Sequence, residues 1–140
     1  MPISPAMRRL LHIREIQEDK SRSLLKNLVR ELEGLKASLV LAGIWEREGR
    51  QLVGDSARSG ELSDRIAGLA QERDAIHAGA LLDERVSAAE LHVAEQRQIY
   101  LAARMQLRQA RALEEKINQL DSRDEARKAQ SDLDEWFRSR

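Results

Sequence analysis

The chain has 140 residues, of which 34% are charged, and its 24 basic and 24 acidic groups balance. Aromatic residues make up only 3%, there is no cysteine, and both prolines, Pro2 and Pro5, lie at the start. Disulfide and thiol chemistry are thereby excluded, and the composition is that of long helices and coiled coils rather than of a globule with a thick core.

The balance of charge is uneven along the chain. Over residues 1–30 seven basic groups face Glu15, Glu18 and Asp19, whereas over 61–90 seven acids outnumber Arg65, Arg73 and Arg85. Such polarity steers docking without dictating fold. Disorder is the competing reading of so much charge, but sustained leucine spacing argues against it. No run approaches the ~20 apolar residues of a membrane span. Arg8, Arg9, Arg14 and Glu15 also interrupt the opening segment, unlike the apolar core of a signal peptide. A soluble, cytoplasmic protein is therefore expected.

Ser4 and Pro5 read as a helix start, the serine capping open backbone N–H groups and the proline filling the first helical position. Apolar residues follow at Met7, Leu10, Leu11, Ile13 and Ile16, then at Leu25, Leu28, Leu32, Leu35, Leu39 and Ala42. The spacing predicts one helix over 5–50. Gly49, Gly54, Asp55, Ser56, Ser59 and Gly60 concentrate turn chemistry, so a turn is expected over 51–60, with Ser59 or Gly60 capping the next helix.

A second helical region is expected over 61–137. Its first stripe steps through Leu62, Ile66, Leu69 and Ile76. A second runs without a slip through Leu82, Val86, Ala89, Val93, Gln96, Tyr100, Ala103, Leu107 and Ala110. The two stripes miss each other by one residue at Gly79, where a bend or short interruption is expected. Beyond Ala110 the apolar stripe shifts to Leu113, Ile117 and Leu120, fades, and returns at Ala126, Ala129, Leu133 and Trp136. Stripes this narrow need another helix against them. The simplest solution is an all-α antiparallel two-helix coiled-coil hairpin, with residues 1–140 forming one hairpin. An intermolecular parallel coiled coil is the alternative, interrupted by the central glycines.

Chemistry by the chain itself finds no support. Gly54-Asp55-Ser56 with Asp74 and His77 is similar to elements of a serine-esterase family, but no strand presents the serine and the spacing is too short for that fold. His12, His77 and His92 lack metal-ligand spacing, and no glycine-rich phosphate loop is present. Neither metal nor cofactor is expected. Arg97, Arg104, Arg108 and Arg111, with no acid between the first and last, read either as a solvated face or as a docking stripe for an acidic partner. Nucleic acid is disfavoured by the neutral total and the scarcity of aromatics. Trp45, and the pair Trp136 and Phe137, either pack within the hairpin or serve as apolar contact points for a partner.

The run Met7-Arg8-Arg9-Leu10-Leu11-His12-Ile13-Arg14-Glu15-Ile16-Gln17-Glu18-Asp19-Lys20 resembles the opening of the FliJ/YscO family, the central-stalk proteins of flagellar and virulence type III secretion. The outline of the chain is similar too: an Arg- and Leu-rich first helix, a central break, and a long second helix rich in Arg, Glu and Ala. The virulence (YscO/HrpO) branch is the nearer likeness. The resemblance implies a non-enzymatic antiparallel hairpin that links the hexameric export ATPase to the membrane export gate, and that in some members binds export chaperones. It implies ATPase contact at the helix termini, in the region of Arg8, Arg9, Arg14, Trp136 and Phe137, and makes the neighbourhood of Trp45 a candidate for gate contact. It also implies a cytoplasmic protein held at the inner membrane only through the export apparatus, without insertion. A general coiled-coil adaptor or chaperone-binding protein is the alternative.

Overall fold

The computed structural model describes residues 3–139. Its fold is all-α, two long helices packed against each other as a helical hairpin, as the stripes predict. The first, α1 (Pro5–Ser59), is 55 residues long, and the second, α2 (Leu62–Arg138), is 77. At the start of α1 the Ser4 hydroxyl accepts the Met7 N–H at 3.2 Å, so the expected cap is in place.

The turn is much shorter than the expected 51–60. Helix α1 continues through Gly49, Gly54 and Ser56 and ends only at Ser59. Gly60 terminates it with φ 75° and donates its N–H to the Ser56 carbonyl at 2.8 Å, a left-handed stop that glycine adopts without a Cβ penalty. Glu61 then caps α2: its carbonyl accepts the Arg65 N–H at 3.3 Å, while its own N–H reaches the Ser59 hydroxyl at 3.4 Å. Thus Gly60 ends the first helix instead of capping the second. Turn-forming residues are permissive of turns but do not compel them; Gly60 alone among the described residues has positive φ.

Nor does α2 break near Gly79; it is continuous from Leu62 to Arg138. The 82–110 stripe, stepped backwards by threes and fours, lands on Gly79, Ala75, Glu72 and Gly68, which are buried or half-buried. Leu62, Ile66, Leu69 and Ile76 are all exposed. The apparent mismatch arises because the packed face changes from large apolar to small residues without changing its helical position.

By contact, the chain divides into two units, one comprising Leu24–Arg97 and the other the residues up to Ser23 and from Gln98 onward. In the Leu24–Arg97 unit, half-buried Leu25, Leu28, Leu32, Leu35 and Leu39 lead along α1 to buried Ala42, Gly49 and Ser56. The α2 side supplies Val93, Ala89, Val86 and Leu82, then buried Ala75 and Gly68. Near the turn the two backbones touch. A Cβ on Gly49 would lie 2.8 Å from the Glu72 nitrogen, and one on Gly68 would lie 2.8 Å from the Gly49 carbonyl oxygen. Small side chains on both faces set this short interhelical distance.

In the other unit Leu11 of α1 is buried, with Met7, Arg14, Glu18 and Ser21 half-buried at the same three–four spacing. On α2, Ala103, Leu107 and Ala110 are buried. The packed face then proceeds through Glu114, Ile117 and Asp121, all half-buried, leaving Leu113 and Leu120 exposed. The expected shift onto Leu113 and Leu120 therefore does not occur. From residue 122 to 139 every position is exposed.

Candidate docking surfaces

Exposed groups arranged by this packing are the candidate surfaces, and the sequence-selected residues fall into four sets. In the unit holding the start of α1, Arg14 donates to Gln17 Oε1 at 3.1 Å and across to Gln106 Oε1 of α2 at 2.8 Å. Arg9 Nε lies 3.5 Å from the Pro5 carbonyl, and Arg8 is exposed. Arg14 is therefore committed to holding the helices together, whereas Arg8 presents its charge outward.

Arg104, Arg108 and Arg111 share an open concavity with Glu15, Glu18, Asp19 and Arg22 of α1. Arg111 approaches Glu15 at 3.8 Å, and Arg22 pairs with Asp19 and with Glu18. The acids missing between residues 97 and 111 are thus supplied by the other helix. Exposed pairs of this kind contribute on the order of 0–1 kcal/mol each, so they orient the face more than they stabilise it. Arg97 belongs to the Leu24–Arg97 unit and is not part of this cluster.

Trp136 and Phe137 sit in the last turn of α2, half-exposed, with ring centroids 5.2 Å apart and planes at 72°. This edge-to-face pairing suits aromatic quadrupoles and forms a small apolar surface beside Asp132 and Glu135.

Trp45, 42% exposed, lies in an apolar trough with Leu41, Ala42, Ala78 and Leu82, all within the Leu24–Arg97 unit. Gln71 of α2 donates to the Trp45 carbonyl at 3.0 Å and anchors this stretch of α1. Sequence reasoning singled out Trp45, read Leu82 only as a packing residue and missed Gln71, Leu41 and Ala78, because their convergence depends on the register between the helices. A second exposed apolar set, Leu69 and Ile76, flanks Arg73 and His77 on α2.

The esterase-like residues are not assembled. Ser56 is buried in α1 and its hydroxyl donates to the Val53 carbonyl at 2.8 Å, while Asp74 and His77 are exposed on α2. Among the described residues no group of three or more His, Cys, Asp or Glu side chains is placed to hold a metal ion. No described helix is long and apolar enough to cross a membrane.

The division into units sharpens the charge asymmetry. The Leu24–Arg97 unit carries ten basic and thirteen acidic groups, a net charge of −3, and the other fourteen and eleven, a net charge of +3. At the turn, Glu61 is held above its ordinary carboxylate range, chiefly by the hydrogen bond its protonated form donates to the Asp64 carboxylate and then by that carboxylate's charge.

No known protein family, curated protein or solved structure matches this chain.

Proposed function

We propose that the chain is a non-enzymatic central-stalk and coupling protein of a type III secretion system. In this reading it links the export ATPase hexamer to the membrane export gate and also receives export chaperones. Its place is the cytoplasm, at the inner membrane only through the export apparatus. The observation that supports this best is a two-helix fold whose three–four packing face uses up the apolar seam and leaves distinct charged and aromatic groups outside it. The opening run 7–20, with its likeness to the FliJ/YscO family, supplies the partner class. A net-basic unit and a net-acidic unit suit two chemically different partners.

The test is co-purification with the cognate secretion ATPase, together with its rate of ATP hydrolysis. Binding and stimulation are expected, and paired reversal of Arg8 and Arg9 to Glu should weaken both. Neither binding nor stimulation would overturn the proposal.

The exposed Leu62, Ile66, Leu69 and Ile76 favour a second reading, a general adaptor that binds clients or chaperones through apolar helix faces. That reading expects client binding independent of any ATPase hexamer.

A further inference from the structure

The trough around Trp45 has walls of one chemistry and flanks of another. Leu41, Trp45, Ala78 and Leu82 line it, and its opening volume is about 450 Å³. Along α1, Glu48 stands three residues beyond Trp45 and Asp55 seven beyond that. Along α2, Asp74 precedes Ala78 by four and Asp64 lies ten earlier. Residues three or four apart share a helix face, so all four acids fall on the side of the unit where the trough opens.

Arg85, three residues beyond Leu82, shares this side, but among the described residues no ion pair joins it to any of the four acids. Neither Glu48 nor Asp55 has an ion pair among the described residues, and Asp74 meets only Arg73, across an exposed 3.5 Å. Asp64 is engaged with another acid, Glu61. The opposite side of the same unit differs: there Arg50 reaches both Glu46 and Glu72, and Lys36 reaches Glu90. On that side ion pairs answer three acids and leave Asp83 over, whereas among the described residues on the tryptophan's side Arg73 alone pairs with an acid.

We propose that this trough is the docking site for a basic amphipathic helix of a partner protein. The apolar face of that helix would cover Trp45 and Leu82, and its Lys and Arg side chains would meet Glu48, Asp55, Asp64 and Asp74. An exposed tryptophan beside leucines is the kind of anchor on which interface energy concentrates. A helix laid into a groove is held by residues at three–four spacing, which is the spacing of the trough's own walls. Flanking acids set polarity and raise the encounter rate, so the interaction is salt-sensitive. The inference stands apart from the stalk reading, since it concerns the chemistry of one face and needs no ATPase.

The test uses the full chain with Trp136→Phe, so that Trp45 alone reports. A helical peptide of Leu and Lys, about 18 residues long, is titrated against it and compared with its Leu and Glu counterpart. Expected are a blue shift of Trp45 emission with the basic peptide, weakening by about tenfold in the Glu48→Lys, Asp74→Lys variant, and loss in high salt. Leu41→Ala with Leu82→Ala should also weaken binding; unchanged helical circular dichroism shows that both variants remain folded. The inference is overturned by three results: no shift at about 100 µM peptide, equal response to both peptides, or binding indifferent to the charge reversals. Sedimentation showing that a second copy already covers Trp45 would overturn it as well.

Discussion

The two units apply one three–four packing pattern in opposite ways. In the Leu24–Arg97 unit the helices come together over small residues near the turn, close enough for the Gly49 and Gly68 backbones to touch, and large apolar side chains such as Leu41, Trp45 and Ile66 are left outside, as Ile13, Leu101 and Met105 are in the other unit. In the other unit the buried face includes Leu11 and Leu107, its margin is a set of acids on α1 facing arginines on α2, and the chain's net-basic balance lies there. A regular stripe says which face is packed. The size of the residues on it decides how closely the helices approach, and so which apolar groups are left for other contacts.

The largest expected effect breaks the unit that depends on side-chain burial. Leu107 is buried beside Ala103 and Ala110, and Leu107→Ala should cost about 2–3 kcal/mol in urea unfolding, near the low end for leucine truncation because the core is only two helices thick. The same change at exposed Leu133 should shift stability by no more than about 0.5 kcal/mol. A cost at Leu133 equal to that at Leu107 would remove the distinction between the packed face and the exposed end of α2.

Next comes the close approach in the other unit. Gly68→Ala places a Cβ at 2.8 Å from the Gly49 carbonyl oxygen and 3.0 Å from the Val53 nitrogen, so backbone must move. A loss of about 1–3 kcal/mol is expected, against the usual helical gain from replacing glycine. Gly54→Ala meets nothing within 4 Å and should instead stabilise by about 0.5–1 kcal/mol. Opposite signs in parallel thermal melts would establish backbone contact as the distinguishing feature of this unit; matching signs would refute it.

A smaller effect is expected at the turn. Gly60→Ala imposes a side chain on φ 75° and should cost about 1 kcal/mol by denaturant unfolding, although open space surrounds the site. The smallest concerns pH. Glu61 is held above its ordinary range by Asp64, so the native state favours the protonated form. Its contribution is fully present below the unfolded pKa and is lost as pH rises through the raised native value. Glu61→Gln should therefore raise the midpoint of thermal unfolding slightly at neutral pH and flatten its dependence on pH in the acidic range. A lower midpoint at neutral pH would contradict that sign.

Much of this architecture is legible from the residues alone. Periodicity is a local property, so the face containing Leu82, Val93, Leu107 and Ala110 can be read without knowing what lies against it, and so can the leucine face of α1 and the Ser4 cap. Trp45 likewise stands out as an aromatic in a chain with almost none. Helix ends are less legible, because Gly49, Gly54 and Ser56 are compatible with either a turn or a helix. Only tertiary packing chooses, offsetting their poor helical propensity at Gly49 and Ser56 by burying them. For the same reason Leu62, Ile66, Leu69 and Ile76 look like core in sequence and lie outside it in space: the register between the helices put Gly68 and Ala75 inward. That register also set Arg104, Arg108 and Arg111 in one concavity with the acids of α1, where Arg111 meets Glu15, and brought Leu41, Trp45, Ala78 and Leu82 to one trough. Spacing along a helix determines faces, whereas contact across helices determines what each face becomes.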